Sequence, residues 1–265
     1  MANTKESFYY TIDFGVNWGN VNKQSDAEID RLVNQAWNQG VDKIVLISNH
    51  MQEAIRNSEL SDKYSQFYYT IGVHPHNAKH FKDADITIIA DNLKMRKCFG
   101  IGECGLDYSR MFSSKDAQIY AFEQQVMLAK QENAKLYLHC RDAYDDFIGI
   151  LKKYNYFNGI VHCFTGDIDQ ALELTSLGFK LGITGWLLDK RRNKDLVNAI
   201  KDPRISLSSL IVETDAPWMP IYPNRQSNPG DTFYIVDEIA KIKGIDPLEC
   251  GKILYQNALD MLNKN

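Results

Sequence analysis

Histidines and carboxylates recur in this chain where short apolar runs end. Gly72-Val73-His74-Pro75-His76 closes one run, and Gly102-Glu103-Cys104-Gly105-Leu106-Asp107 closes the next. Leu138-His139-Cys140-Arg141-Asp142, Val161-His162-Cys163-Phe164-Thr165-Gly166 and Val212-Glu213-Thr214-Asp215-Ala216-Pro217 continue the pattern. Imidazole and carboxylate donors without thiolate make a borderline-to-hard site that suits Mg²⁺, Mn²⁺ or Zn²⁺. An ion held this way makes bound water nucleophilic near neutral pH and stabilises charge on an attacked oxygen, so the expected chemistry is hydrolysis by metal-bound water. No G-x-S-x-G nucleophile elbow, P-loop or dinucleotide-binding glycine fingerprint offers a competing chemistry.

Strand geometry limits which of these side chains can meet. Residues two apart on a strand share a face. Tyr137 and His139 therefore point one way and Leu138 and Cys140 the other. Ile160 and His162 likewise oppose Val161 and Cys163. A histidine and its adjacent cysteine cannot both reach one ion, so the two histidines form the inward pair and both cysteines are expected to pack towards helices. Glu213 and Asp215 face the same way, and Glu103 joins them. A single strand-end histidine is more often a hydrogen-bonded structural group. Together with Glu103 and Asp215 at four separate strand ends, the pair favours a metal site.

The elements that must position these groups alternate along the whole chain. β-rich runs are expected at Tyr9–Asp13, Lys43–Ser48, Phe67–Val73, Lys97–Glu103, Lys135–Cys140, Gly159–Phe164, Phe179–Thr184 and Ser209–Asp215. Helices are expected between them, including Asp26–Gln39, Asp116–Glu132, Asp142–Tyr154 and Asp167–Leu177, many opening on a capping Asp, Ser or Thr. Gly40 and Gly178 stand where helices should stop. Thr232–Ile242 and Pro247–Leu262 read as closing helices. Eight strands with intervening helices and no linker predict a single-domain α/β chain over residues 1–265, a (β/α)8 TIM barrel, with its functional groups converging at the C-terminal ends of the strands. An open doubly wound sheet is the weaker alternative, because no glycine fingerprint follows the first strand.

Lys and Arg number 30 against 34 Asp and Glu, a net charge of −4, which excludes a protein that coats nucleic acid by bulk positive charge. Local cations remain available: Arg141, and the run Lys190-Arg191-Arg192-Asn193-Lys194 after the seventh strand, could each capture phosphate. Trp186 and Trp218 also follow strand ends, where they could stack on bases or pack at the rim. His50 and His80 read as structural. Asp107 could cap a turn, Asp142 a helix, and Glu213 could support a ligand rather than be one. Met1–Ser7 carries no apolar leader and no run of about 18 apolar residues occurs, so no membrane span is expected. Five cysteines without a C-x-x-C form no disulfide framework or zinc ribbon, and place the chain in a reducing cytoplasm, or in the nucleus of a eukaryote.

Taken in order, the motifs Gly72–His76, Ile101–Asp107, His139–Ala143, His162–Gly166 and Glu213–Pro217 resemble those of the TatD family of metal-dependent deoxyribonucleases, which are amidohydrolase-like barrels. The resemblance covers nearly the whole chain. It implies a divalent-metal-dependent nuclease acting on DNA, possible also on RNA, as a 3′→5′ exonuclease on single-stranded ends. It further implies that Glu103, His139, His162 and Asp215 bind the metal, with Mg²⁺ favoured and Mn²⁺ or Zn²⁺ acceptable. Asp215 would take a proton from the water, with Glu103 as its catalytic companion, and His74, His76 and Arg141 would contact substrate phosphate. Many relatives carry an H-x-H pair at the end of the first strand that holds a second ion. Gly15 and Asn17 occupy those positions here, as in the subgroup nearest TatD itself, so one protein-held ion is expected. A monomer without protein partners is expected. The same barrel could instead hydrolyse a small ester, lactone or amide.

Overall fold

The computed structural model describes residues 8–19 and 25–263. Met1–Ser7, whose lack of an apolar leader was noted above, lies outside the described residues. The strands are β1 (Thr11–Val16), β2 (Val41–Leu46), β3 (Phe67–Ile71), β4 (Cys98–Asp107), β5 (Lys135–Arg141), β6 (Gly159–Val161), β7 (Lys180–Ile183) and β8 (Leu210–Val212). They form one parallel sheet in the order β1 to β8. The intervening helices are α1 (Asp26–Asn38), α2 (Met51–Lys63), α3 (Asp83–Leu93), α4 (Lys115–Glu132), α5 (Tyr144–Tyr154), α6 (Ile168–Ser176) and α7 (Lys194–Lys201), with α8 (Thr232–Lys243) and α9 (Pro247–Leu262) after the last strand. This is the eight-stranded α/β barrel that the sequence predicts. No helix among the described residues is long and apolar enough to cross a membrane.

Local chemistry explains the boundaries. Ser25, Ser114, Asp167 and Asp246 cap α1, α4, α6 and α9 by accepting a backbone N–H from the first turn. Asp142, expected to cap a helix, instead adopts φ +52°, and α5 begins after Ala143 with no side-chain cap. Four strands are shorter than expected: β3 ends at Ile71 and β7 spans only Lys180–Ile183, and β6 and β8 lose the most. β6 stops at Val161 because Cys163 turns to φ +45°, and β8 stops at Val212, ahead of Asp215 at φ +57°. β1 runs longer, to Val16.

That early end of β8 leaves little ladder to close the barrel. A side chain completes it: buried Asp13 accepts hydrogen bonds from the backbone N–H and the hydroxyl of Thr214. One backbone bridge, Val16 to Ala216, lies just above. The barrel interior is filled by Ile12, Phe14, Val45, Phe99, Ile160 and Ile211, and Met261 and Leu262 of α9 pack against them. A larger apolar shell lies between the strands and the helices. β4 and β5 approach so closely that a Cβ on Gly105 (φ +144°) would lie 1.9 Å from the His139 carbonyl oxygen. Only glycine fits there.

Candidate metal centre

Four strand ends deliver the ionisable groups. Glu103 and His139 lie within β4 and β5, His162 directly follows β6, and Asp215 follows β8. The Glu103 carboxylate is the hub: its Oε1 lies 2.7 Å from His139 Nδ1, 3.5 Å from His74 Nε2 and 3.9 Å from His162 Nε2. His162 Nε2 is also 3.7 Å from Asp215 Oδ1. Glu103, His74 and His162 are all buried.

Two hydrogen-bond networks aim these rings. On the β6–β8 side, His162 Nδ1 lies 2.8 Å from Glu213 Oε1, while the Tyr137 hydroxyl donates to Glu213 Oε2 at 2.6 Å. Because that hydroxyl proton is committed to Glu213, His162 Nδ1 is the donor to the Tyr137 oxygen at 2.7 Å, beside Glu213 Oε1, and Nε2 is turned towards Glu103 and Asp215. The Cys163 N–H donates to Glu213 as well, at 2.6 Å. On the β3–β5 side, Asp107 Oδ2 accepts from His76 Nε2 at 2.8 Å and stands 3.3 Å from His139 Nε2. Its Oδ1 accepts the N–H groups of Ser109 and Arg110 at 2.9 and 2.8 Å, which fixes the turn beneath the rings. Asn17 donates to Asp215 Oδ1 at 2.8 Å.

These contacts push the titrations apart. Burial opposes a charged His162, but the Glu213, Glu103 and Asp215 carboxylates outweigh it and raise the ring to about 10. Burial is likewise overcome for His139, where hydrogen bonds to Asp107 and Glu103 give about 9. His74, with burial dominant, falls to about 4. Glu103 is held well below the usual carboxylate range, since the surrounding imidazoles outweigh its burial. Asp107 is lowered in the same way by His139 and His76. Burial, together with the Glu103 and Glu213 charges, lifts Asp215 to about 7 against the pull of His162 and Asn17.

The donor set fits a divalent cation. Glu103, His74 and His139 each offer a ligand atom, all within 4.8 Å of one another, and His162 and Asp215 flank them. A metal would take the place of the protons that hold the cluster together in the protein alone. No ligand is available from the first strand beyond Asn17. A Cβ on Gly15 would lie 2.5 Å from the Tyr137 hydroxyl, so the Tyr137–Glu213 pair fills the space that a larger residue would need.

The structure thus gathers Glu103, His139, His162 and Asp215, and it adds His74, which the sequence assigned to phosphate. His76 is held by Asp107 at the edge of the group. Arg141 lines the same 430 Å³ cavity, with Arg110, Trp186 and Trp218. Neither Arg110 nor Arg141 is ion-paired among the described residues. The Lys190–Lys194 run is absent from that lining. Arg191 and Arg192 both pair with Asp189, and Arg192 stacks on Trp186 at 3.7 Å, which covers one indole face. The cysteine expectation holds in part. Cys140 packs against the helix-facing core, although it also contributes to the cavity lining. Cys163 departs from it, because its left-handed backbone breaks the alternation and brings it to the cavity wall, 3.4 Å from the Thr184 hydroxyl. Sequence reasoning missed Arg110 and Tyr137 as site residues, and it reduced Asp107 to a turn cap. The two-residue spacing of Tyr137 from His139 was the available signal for the tyrosine.

Comparison with known proteins agrees with this fold. The family model described as "TatD related DNase" matches residues 12–263. The chain is 36% identical over 257 residues to a Rahnella sp. protein named "3'-5' ssDNA/RNA exonuclease TatD", with 93% of this chain and 96% of that one covered. It is 34% identical over 256 residues to the Yersinia pseudotuberculosis protein of the same name, covering 93% and 97%. Among solved structures, the TatD homologue YjjV of Escherichia coli superposes with a TM-score of 0.88 at 25% identity, covering 96% of this chain and 98% of that one.

Proposed function

The chain belongs to the TatD-related DNase family, and from that membership we propose that it is a divalent-metal-dependent exonuclease. It removes nucleotides from the 3′ ends of single-stranded DNA or RNA. The observation that carries this reading is the Glu103 carboxylate ringed by His139, His74 and His162, beside Asp215, at the C-terminal ends of the strands.

Glu103, His139, His162 and Asp215 hold the ion, with His74 as a further donor, and Mg²⁺ is the first candidate ahead of Mn²⁺ and Zn²⁺. When bound, a divalent ion supplies Lewis acidity and makes water a better nucleophile. The chain's own residues do the rest. Glu213 and Tyr137 orient His162, and Asp107 orients His76 and His139. Asp215, beside His162 and held by the Asn17 amide, is placed to receive the proton of the attacking water. Arg141, Arg110 and His76 bind the non-bridging oxygens of the phosphodiester. Five free cysteines support a reducing cytoplasmic setting.

The test is metal-stripped protein reloaded with Mg²⁺, Mn²⁺ or Zn²⁺ and assayed on 3′- and 5′-labelled single-stranded DNA, RNA and duplex DNA. A metal-dependent ladder retreating from the 3′ end of single strands is expected. Internal cuts, or turnover confined to small esters and amides, would overturn the reading.

A further inference from the structure

β3 ends at Ile71, opposite Ile101, whereas β4 continues to Asp107 with β5 along its other edge. Past the end of β3, buried peptide groups lack a neighbouring strand, and a buried N–H or C=O left without a partner is destabilising. Two glutamine side chains from α4 take the missing strand's place. The Asp107 N–H donates to Gln118 Oε1 at 2.8 Å, and Gln118 Nε2 donates back to the Asp107 carbonyl at 3.0 Å. The Val73 N–H donates to Gln125 Oε1 at 2.8 Å, and Gln125 Nε2 donates to the Val73 carbonyl at 3.2 Å. Each carboxamide thus pairs with both groups of one residue, as the opposite residue does in an antiparallel ladder.

Gln118 and Gln125 are two helical turns apart, so they share one face of α4. That face otherwise buries Ala121, Phe122, Val126 and Ala129, and both glutamines are fully buried within it. An apolar side chain would need no partners there, whereas a buried amide must use all of its protons. These two do. The second proton of Gln118 Nε2 goes to the Ser113 carbonyl at 3.0 Å, and that of Gln125 Nε2 to the Ala121 carbonyl at 3.0 Å. Each amide is therefore fixed in one orientation, with its oxygen towards an N–H and its nitrogen towards two carbonyls.

The residues held in this way are those from which the site projects. Val73 precedes His74, whose Nε2 is 3.5 Å from Glu103. Asp107 accepts from His76 and stands beside His139. Ser113, held by Gln118, donates its hydroxyl to the His76 carbonyl at 2.9 Å, so one amide braces both partners of the His76–Asp107 contact. Neither glutamine lines the metal cavity. We propose that Gln118 and Gln125 are positioning residues of the metal centre. They fix the strand-end backbone that carries His74, His76 and Asp107, and so set metal affinity without touching the ion. The proposal rests on the cation site that the nuclease reading uses.

The test is titration of the full chain with Mn²⁺ by calorimetry, which needs no substrate. Gln118→Met keeps the side-chain volume and removes its hydrogen bonds. Its dissociation constant for Mn²⁺ is expected to rise about 10-fold or more, at unchanged stoichiometry per folded molecule. Gln118→Glu, neutral in that buried setting, keeps the acceptor and one donor and is expected to recover part of the loss. Phe99→Ala, at the opposite end of the barrel, gives the effect of destabilisation alone, a lower Tm with wild-type affinity. Folded Gln118→Met that binds Mn²⁺ as wild type does would overturn the proposal and leave the nuclease reading standing. If that variant does not fold, Gln125→Met and Gln118→Glu are read in the same way, and wild-type affinity in both overturns it. Wild type that binds Mn²⁺ but cleaves no 3′ end would remove the nuclease reading and leave this proposal intact.

Discussion

The two ends of the barrel interior are built on the same strands from opposite chemistry. Towards the N-terminal end, Phe14, Phe99, Ile160 and Ile211 pack with Met261 and Leu262 of α9. Towards the C-terminal end, Glu103, His139, His162, Glu213 and Asp215 crowd together, each with an ionic or hydrogen-bonded contact. Tyr137 is the boundary. Its ring belongs to the apolar cluster, and its hydroxyl donates to Glu213. One end gains free energy from removing hydrocarbon from water, while the other bears the cost of buried charge to keep a cation site in place. The difference teaches that stability and function in this barrel are separable along the strand direction.

The strongest way to break that separation is to damage the apolar end. Phe99 is buried against Phe14, with ring centroids 5.1 Å apart. Phe99→Ala should cost about 3–5 kcal/mol of unfolding free energy in urea titrations. The remaining folded enzyme should bind metal as tightly as wild type. A metal affinity that falls in step with stability would show that the two ends are one unit.

A smaller effect sharpens the functional end. Asp107→Asn keeps the shape of the side chain but weakens its hold on His76 and His139. Metal affinity should fall about 10–100-fold, the usual penalty for removing the partner of a ligating histidine. Unfolding free energy should change less than it does in Phe99→Ala. Wild-type affinity in calorimetric titration would return Asp107 to the role of a turn cap.

The smallest effect is a pH trend. His139 and His162 have folded pKa values of about 9 and 10, above the ordinary 6.5. Their contribution to the metal-free protein is complete below about pH 6.5 and is lost as pH rises through 9 to 10. Asp215, raised to about 7, acts in the same direction. Metal competes with these protons, so the gap in Tm between metal-loaded and metal-free protein should widen from pH 6.5 to 9. Scanning calorimetry that shows a constant gap would mean the imidazoles are not the metal's ligands.

Much of this was legible because strand alternation is a strong rule. Tyr137 and His139 share a face on β5, as period-2 spacing requires, and the repeating strand–helix pattern marked the barrel. The rule failed where strands end. Cys163 takes a left-handed backbone, and no local sequence signal announced that its side chain would leave the alternation. The Lys190–Lys194 run misled because charge in a loop says nothing of its partners, and Asp189 claims two of its arginines. Arg110 stayed hidden because it follows β4 through a turn held by Asp107, a contact that only three dimensions reveal. Gly15 and Asn17 are legible as unable to replace an imidazole, with Asn17 a weak oxygen donor. The filling of that space by Tyr137, from the far side of the barrel, and by Glu213, from neighbouring β8, could not be read from spacing.

The central claim is that Glu103 organises a cation site on which all activity depends. The direct measurement is Glu103→Gln, assayed together for metal binding by calorimetry, for folding by circular dichroism and for 3′-end cleavage of labelled single-stranded DNA. Folded protein that no longer binds the ion, with cleavage reduced about 10³-fold or more, is the expected result. Folded Glu103→Gln protein that cleaves at the wild-type rate in the presence of metal would contradict the account.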